Sequence, residues 1–294
     1  NFFRYPDGKS TKLRDQISKN FKCDRNNIIC GSGSDEVIQM ICQLFLHPKD
    51  EVIVPEYSFL MYRIYAKIVG AKVLFSKETN YKVMFDRIEA GTYALAVAIA
   101  GGEIELIGAE KKLLTFFLNV LESIGIDYII TENSIIFKRN SNSLNPVDIT
   151  TEPYPGFPTD LQAQLMAVMS ISNGTSVITE SIFENRFMHA PELIRMGAKI
   201  KLKGNSAIVE GVKKLKGAEV MATDLRASVS LVLAGLVAEG ETNIGRVYHI
   251  DRGYQNIVEN LRECGAMIKR IKVFNHNISG SGIFCQSGYT NLSE

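Results

Sequence analysis

Hydrophobic and polar positions follow one pattern three times between residues 86 and 271. Each copy begins with a helix of small apolar residues, passes through a glycine into a short strand, and then forms an amphipathic helix that ends at a second glycine. The copies recur about every 70 residues, which is the sequence signature of a repeat architecture. The glycines before the three strands are Gly102, Gly174 and Gly240, and those ending the second helices are Gly125, Gly197 and Gly265.

Alternating apolar and polar residues follow the second glycine of each copy, as is typical of strands. In the first two copies the alternation predicts hairpins, with turns near Glu132–Asn133 and Gly204–Asn205. The third copy is predicted to lack one hairpin strand, because residues 272–294 have no clear period and are rich in Asn, Ser and Gly. We therefore expect residues 84–271 to place the apolar helices at the centre of wrapped sheets, followed by a loose tail over 272–294.

A different pattern occupies residues 1–83. An amphipathic helix over residues 8–21 and a second helix, GSGSDEVIQMICQLFL, precede a short strand (DEVIVP), a helix (YSFLMYRIYAKIVG) and another strand (AKVLFS). This alternation is typical of part of an open α/β sheet. The change of pattern falls near Val83–Met84 without a Pro- or Ser-rich linker, so the sequence predicts two different α/β architectures in one chain.

Composition restricts the classes of function. The 294 residues carry a net charge of +1, which provides no basic field for nucleic acid. No apolar run reaches the roughly 18 residues that a membrane span needs, and the first residues lack the features of a signal peptide. The five cysteines are scattered and form no C-x-x-C pair, and the four histidines lack metal spacing. These features predict a cytoplasmic protein with no disulfide framework and no metal site.

Several long stretches of the second part resemble one enzyme family. They are DRIEAGTY, FPTDLQAQ, ITESIFENRFMH, GAEVMATDLRASVSLVLAGLVAEG and RVYHIDRGY, and over residues 86–271 they resemble the C-terminal half of UDP-N-acetylglucosamine 1-carboxyvinyltransferases. Members of that family move the enolpyruvyl group of phosphoenolpyruvate to a sugar 3-hydroxyl, the first committed step of peptidoglycan synthesis. The resemblance implies an inverse α/β barrel-like domain of three repeats, with UDP-N-acetylglucosamine and phosphoenolpyruvate as substrates and no required cofactor.

The resemblance also implies site residues. Asp160 matches the acid that contacts the reacting sugar hydroxyl and is a candidate general base, while a helix N-cap is the structural alternative. Ile182 matches a position whose backbone touches the nucleotide sugar. Asp86 and Arg87 match positions near the nucleotide, with an exposed salt pair as the alternative.

Two charged residues stand where the last apolar helix is expected to begin. Asp224 can cap its first turn, but capping leaves Arg226 unexplained, because the helix dipole opposes a cation at that end. A bound anion would offset the repulsion. By resemblance, Asp224 and Arg226 line the cleft for the enolpyruvyl group, and Arg252 matches an arginine that binds phosphoenolpyruvate, for which the guanidinium fork is well suited.

Part of that family's machinery has no counterpart in these residues. The family has a Lys-Asn pair near its start and a catalytic loop in which a Cys is followed by a Gly and an Arg-Pro, and neither is found here. The general acid is therefore missing, so we expect no activity from this chain alone. A non-catalytic binding module is the alternative.

Residues 1–83 resemble the early part of histidinol-phosphate aminotransferases, through RYPDG, GSGSDE and VPEYSFLMY. The resemblance implies a vestigial pyridoxal-phosphate site, with Ser32, Ser34 and Asp35 near the phosphate and Tyr57 on the ring. A Gly-Ser turn with a capping Asp is the alternative. The family's Schiff-base lysine has no match here, so covalently bound cofactor is not expected. The chain is interpreted as a chimera of two incomplete enzymes, whether a real fusion, a decayed gene or an assembly error. A fragment of a pyridoxal-phosphate histidinol-phosphate aminotransferase is a further alternative for its function.

Overall fold

The chain divides into two compact units, Asn1–Val83 and Met84–Glu294. None of the helices described below is long and apolar enough to cross a membrane. The computed structural model describes residues 7–56, 58–77, 84–141, 143–275 and 278–289.

The described part of the first unit has three helices and a small parallel sheet. Its two strands pair in register along their full length. Val54, Ala66 and Ala71 are buried, but most large apolar side chains, such as Phe21 and Phe45, are exposed. A two-stranded sheet is at best marginally stable by itself. The elements are α1 (Thr11–Phe21), α2 (Ser34–Phe45), β1 (Glu51–Pro55), α3 (Leu60–Ile68) and β2 (Lys72–Ser76).

The second unit begins with the first of the three predicted copies. Its opening helix is buried along almost its whole length, as its small apolar residues predict. The sheet is antiparallel, and its last strand lies between the other two. The elements are α4 (Arg87–Ala100), β3 (Gly102–Ile107), α5 (Lys111–Ser123), β4 (Asp127–Ile130) and β5 (Ser134–Arg139).

The second copy repeats this order and adds a strand before the central helix. The added strand lies outside the sheet's first long strand and runs parallel to it. The hairpin turn falls at Gly204–Asn205 as predicted. The elements are β6 (Ile149–Thr150), α6 (Gln162–Met169), β7 (Thr175–Thr179), α7 (Ala190–Arg195), β8 (Lys199–Lys203) and β9 (Ser206–Glu210), with sheet order β6-β7-β9-β8.

The third copy has the same four-stranded topology, so the prediction of a loose tail over 272–294 is wrong for the described residues. A long hairpin completes the sheet, and Ile283 and Cys285 are fully buried at alternate positions. The alternation of apolar and polar residues is not visible in the sequence, because most of the neighbouring residues are glycine or serine. The elements are β10 (Glu219–Met221), α8 (Val229–Gly235), β11 (Glu241–Gly245), α9 (Tyr248–Asp251), α10 (Ile257–Glu263), β12 (Ala266–Asn275) and β13 (Ile278–Tyr289), with order β10-β11-β13-β12.

The core of the second unit is formed by α4, α6 and α8, which pack against one another. All residues of α6 and of α8 are buried. Close packing requires glycine in α4, because a Cβ on Gly91 would lie 2.5 Å from Cδ1 of Leu161. The three sheets pack around these helices, whose buried faces form the core.

Candidate functional site

Charged residues stand at the amino ends of all three central helices. Asp86 precedes α4, Asp160 lies in a 3₁₀ turn before α6, and Arg226 lies in the turn that leads to α8. The first amides of a helix are unpaired and its dipole is positive there, so such an end favours an anion. The hydrogen bonds described next join these three ends into one site.

Asp86 and Arg226 form an ion pair between the first and third copies, with 2.9 Å between Oδ2 and Nη2. Asp86 also caps α4, because its Oδ1 accepts hydrogen bonds from the amides of Ile88 at 2.7 Å and Glu89 at 3.2 Å. Burial alone would raise the pKa of Asp86, but the hydrogen bond and charge of Arg226, together with these amides, lower it. The carboxylate is therefore ionised and holds the arginine in place.

Arg226 is fixed by three further features. Its Nη1 donates to the carbonyl of Gly253 at 2.7 Å, and its guanidinium lies 5.2 Å from the centroid of the Tyr254 ring. A Cβ on Gly253 would come within 2.6 Å of the carbonyl oxygen of Leu225, so glycine permits the two loops to approach. Burial would lower the pKa of Arg226, whereas Asp86 raises it above its usual value. The site thus contains a permanent, oriented cation.

A buried polar network connects the three copies below this ion pair. The hydroxyl of Tyr254 lies 3.0 Å from Oγ1 of Thr92 in α4 and accepts a hydrogen bond from Nε2 of Gln164 in α6 at 3.0 Å. The same Nε2 donates to the carbonyl of Asp160 at 2.8 Å. Gln164 therefore links Tyr254, beside Arg226, to the turn that carries Asp160.

Asp160 is paired with Arg186, a residue that sequence reasoning did not single out. Their Oδ1 and Nη2 atoms are 2.6 Å apart, and the other Arg186 nitrogen, Nη1, donates to Oγ1 of Thr159 at 2.8 Å. The N-cap alternative for Asp160 is not what the structure shows, because Pro158 precedes the turn and α6 begins after Leu161. The signal was available, since Arg186 lies within the matched stretch ITESIFENRFMH.

Glu180 shapes the loop that presents Ile182. This carboxylate is buried and accepts hydrogen bonds from the Ile182 amide at 2.9 Å, the Phe183 amide at 3.1 Å and Oγ1 of Thr151 at 2.9 Å. The other oxygen accepts from Thr159, next to Asp160, at 2.8 Å. The side chain of Ile182 is itself exposed, so its backbone lies on an accessible loop near the Asp160–Arg186 pair.

Asp224 caps a turn and not the helix that was expected to start there. Its Oδ1 accepts from the amides of Arg226 and Ala227, while Oγ of Ser228 accepts from the amides of Thr223 and Asp224. This reciprocal bonding competes with helical hydrogen bonds, so α8 begins only at its first valine. The loop before α8 is therefore polar, and Asp224 and Arg226 in it are partly exposed.

Arg252 and Arg87 differ in their surroundings. Arg252 follows α9, is exposed, and makes no side-chain ion pair or hydrogen bond with any of the described residues. It directly precedes the glycine that receives the hydrogen bond from Arg226. Arg87 does not form the salt pair with Asp86 that was the alternative, and its guanidinium lies 5.3 Å from the centroid of the Tyr154 ring. Arg252 is thus the cation of this site that an anion could reach without displacing a partner.

At the predicted phosphate site of the first unit, a backbone amide is bonded to the side chain of Glu36. Gly33, with φ of 91°, precedes α2, so Ser32, Ser34 and Asp35 do lie at a helix amino end. The Ser32 amide, however, donates to Oε2 of Glu36 at 2.5 Å. This hydrogen bond is a capping interaction, as in the alternative to a phosphate site, but the capping residue is Glu36 and not Asp35. Tyr57 lies outside the described residues.

The arrangement combines cations, a carboxylate and helix amino ends at one face of the second unit. Arg186, Arg226 and Arg252 can bind phosphate or carboxylate groups, and Asp160 can accept a proton from a hydroxyl. No group of three potential metal ligands occurs in the part of the chain that the structure describes. The chemistry available to these residues is therefore anion binding with acid–base assistance.

Two solved structures that share this fold are an enolpyruvyl transferase and an EPSP synthase. The enolpyruvyl transferase NikO from Streptomyces tendae matches with a TM-score of 0.58 and 23% identity, over 75% of this chain and 48% of that chain. An EPSP synthase from Acinetobacter baumannii matches with a TM-score of 0.53 and 20% identity, over 71% of this chain and 47% of that chain. At these identities the likeness defines the fold class, that of the enolpyruvyl transferases.

The family follows from the sequence. The family model of EPSP synthase (3-phosphoshikimate 1-carboxyvinyltransferase) matches residues 63–261, which is more than half of the chain. The chain belongs to this family. A weaker match, over residues 1–96, is to the family of class I and II aminotransferases.

Relatives within the family are considerably more similar than the solved structures. The UDP-N-acetylglucosamine 1-carboxyvinyltransferase of Chelativorans sp. (strain BNC1) is 60% identical over 192 residues, covering 65% of this chain and 45% of the relative. That of Ruegeria pomeroyi (strain ATCC 700808 / DSM 15171 / DSS-3) is 58% identical over 193 residues, covering 66% and 46%. The chain thus spans less than half the length of these relatives.

Proposed function

We propose that the second unit supplies one wall of an enolpyruvyl transfer site for UDP-N-acetylglucosamine and phosphoenolpyruvate. The observation that carries this proposal is that the Asp160–Arg186 and Asp86–Arg226 ion pairs lie at the central helix ends, with the exposed Arg252 directly before the glycine that Arg226 bonds. The names of the relatives at about 60% identity support the choice of substrates.

Each residue has a role in the proposed chemistry. Asp160 takes the proton from the sugar 3-hydroxyl as that oxygen attacks C2 of phosphoenolpyruvate. Arg226 and Arg252 bind the carboxylate and phosphate of phosphoenolpyruvate and stabilise the charge on the phosphate as it leaves. Arg186 holds the carboxylate of Asp160 in position until the hydroxyl arrives.

We propose further that these 294 residues alone bind substrate without turning it over. The site lies on an open surface of the unit, where water weakens each electrostatic interaction. No residue here matches the family's cysteine loop, so nothing in the site is assigned to protonate C3. Loss of a general acid alone typically costs about 10²–10⁴ in rate. A non-catalytic binding module is the second candidate function, and the lack of a match to the family's cysteine loop favours it as well.

The test compares Asp160→Ala with Glu184→Ala, which removes an exposed acid from the neighbouring loop. Calorimetric titration with UDP-N-acetylglucosamine should show a loss of about 10- to 150-fold in affinity for Asp160→Ala, since a charged hydrogen bond contributes about 1.5–3 kcal/mol. Glu184→Ala should bind as the parent chain does. Equal affinities of all three proteins would refute the role of Asp160, and phosphate release by the parent chain would refute the absence of turnover.

For the first unit, we propose descent from a pyridoxal-phosphate aminotransferase of the histidinol-phosphate type, without covalently bound cofactor in this chain. The family match over residues 1–96 supports the descent. Glu36 and Asp35 in the first turn of α2 disfavour a phosphate there by repulsion. Incubation with pyridoxal phosphate should give no aldimine absorbance band. A band that borohydride converts into a labelled lysine would contradict the proposal.

A further inference from the structure

Glu180 is a buried carboxylate that bonds two separate parts of the second copy. It is 2% exposed. Its Oε1 accepts from the amides of Ile182 and Phe183 and from the hydroxyl of Thr151, while Oε2 accepts from the hydroxyl of Thr159 at 2.8 Å. Burying a carboxylate costs free energy unless hydrogen bonds replace the lost water, and four donors do so here. One oxygen is enough to cap the turn, so the bond between Oε2 and Thr159 has a separate cause.

The repeat architecture does not require an acid at this position. The residue six positions after the leading glycine is Gly108 in the first copy, Glu180 in the second and Arg246 in the third. The equivalence agrees with the hydrogen bonds, because the Gly108 amide donates to the carbonyl of Asn133 at 2.7 Å and the Glu180 amide to that of Asn205 at 2.8 Å. The first and third copies turn here with positive φ, of 81° at Gly108 and 57° at Arg246. The acid is therefore specific to the second copy.

The threonine that Glu180 bonds recurs in the third copy without such an acid. Thr159 and Thr223 both stand directly before an Asp-Leu pair. Oγ1 of Thr223 is buried and has no hydrogen-bond partner among the residues that the structure describes. The motif thus folds without an acid bonded to its threonine, and the bond occurs in the copy that contains Asp160.

Thr159 connects Glu180 to Arg186. The threonine hydroxyl has one proton, which Oε2 of Glu180 accepts, so its oxygen is left to accept from Nη1 of Arg186 at 2.8 Å. The other nitrogen of Arg186, Nη2, donates to Oδ1 of Asp160 at 2.6 Å. The guanidinium also lies 5.0 Å from the centroid of the Phe183 ring, and the amide of that residue donates to Glu180. Glu180 therefore holds both Thr159 and Phe183 against the guanidinium.

This arrangement leaves Asp160 with one bonded and one open oxygen. Oδ1 is paired with Arg186, whereas Oδ2 makes no hydrogen bond or ion pair with any of the described residues, and the side chain is 38% exposed. An arginine often binds both oxygens of a carboxylate through two parallel hydrogen bonds. The bond from Nη1 to Thr159 opposes that geometry, because it engages the second nitrogen. Oδ2 therefore stays available to a hydroxyl group.

We propose that Glu180 is a positioning residue, which acts through Thr159 and Arg186 to keep Oδ2 of Asp160 open to the sugar hydroxyl. The inference rests on the proposed function, because it uses the role of Asp160 given there. Glu180 itself does not touch the substrate. It selects one orientation of the guanidinium before the sugar binds, so that this ordering does not have to occur on binding.

Glu180→Asp separates the two tasks of the side chain. Aspartate keeps the charge and still accepts from the turn amides, but it is one methylene too short to bond Thr159. In calorimetric titration of the full chain, its affinity for UDP-N-acetylglucosamine should fall about 2- to 10-fold, the range for one hydrogen bond. Thr159→Val should give the same loss. Thr179→Val is the control, since it removes a hydroxyl that lies 2.9 Å from Oγ of Ser206 and should leave the affinity unchanged.

A double change distinguishes positioning from a general loss of structure. In an Asp160→Ala background, Glu180→Asp should cause no further loss of affinity, because the group through which it acts is gone. The same loss in both backgrounds, or no loss beside an intact Asp160, would overturn the inference and leave the proposed function standing. If Asp160→Ala alone binds as the parent chain does, the proposed function is wrong and the positioning role falls with it.

The orientation of Arg186 can also be measured without substrate. Hydrogen bonds from both terminal nitrogens slow the rotation of the guanidinium, so Nη1 and Nη2 should give separate nitrogen NMR signals in the parent chain. Their absence in Arg186→Lys assigns them. The two signals should merge in Glu180→Asp and stay separate in Thr179→Val. Separate signals in Glu180→Asp would show that Arg186 is held without Glu180 and would overturn the inference.

Discussion

His189 is a buried polar residue in the core of the second unit. It is 1% exposed, and neither ring nitrogen has a hydrogen-bond partner among the residues that the structure describes. Burial, with a smaller contribution from the charge of Arg186, lowers the pKa of His189 from 6.5 to about 3. The neutral form is therefore the one that the folded chain accommodates.

This shift predicts acid sensitivity. Between pH 6.5 and 3 the unfolded chain binds a proton at His189 that the folded chain does not, so the free energy of unfolding falls as the pH falls. The slope should approach about 1.4 kcal/mol per pH unit. In urea unfolding, His189→Leu should reduce this slope and should cost no stability at pH 7, because it removes two unpaired nitrogens. His249→Leu, at a site that is not buried, is the control, and an unchanged slope in His189→Leu would contradict the assignment.

At the scale of elements, the spacing of apolar residues predicted the helices and strands whose positions depend on burying one face. The buried helices α4, α6 and α8 and the hairpins of the first two copies follow from the spacing of apolar residues and glycines, because each element buries one face against the next. The hairpin of β12 and β13 was missed, since only Ile283 and Cys285 carry the period among glycines and serines. Partners elsewhere in the chain supplied the pairing that local sequence did not indicate.

The candidate site was predictable only where a charged residue stood against its local pattern. Asp224 and Arg226 could be singled out because a charge before an apolar helix requires a reason, whereas Asp86 and Asp160 were assigned through the family resemblance. Arg186 itself lies in a stretch that matches the family, but its pairing with Asp160 could not be predicted, because the two residues are 26 positions apart and the contact depends on the loop that Glu180 holds. Sequence spacing does not specify such distances before the fold is known.

At the scale of the whole second unit, Tyr254 is the contact through which the three copies share one polar network. Tyr254→Phe should lower the free energy of unfolding by about 1–3 kcal/mol, because it removes two buried hydrogen bonds, to Thr92 and to Gln164, each of which contributes about 0.5–1.5 kcal/mol. Urea unfolding followed by circular dichroism measures the change.

Tyr93→Phe provides the matched control for this prediction. The Tyr93 hydroxyl accepts a single hydrogen bond, from Nδ2 of Asn260 at 2.8 Å, and Asn260 is only half-buried, so water can replace the lost partner. The control should therefore cost less than Tyr254→Phe. Combining Thr92→Val with Tyr254→Phe should cost less than the sum of the two single changes, because both remove the same hydrogen bond. Strict additivity, or an equal cost of the two tyrosine changes, would show that Tyr254 packs between the repeats without linking them through its hydroxyl.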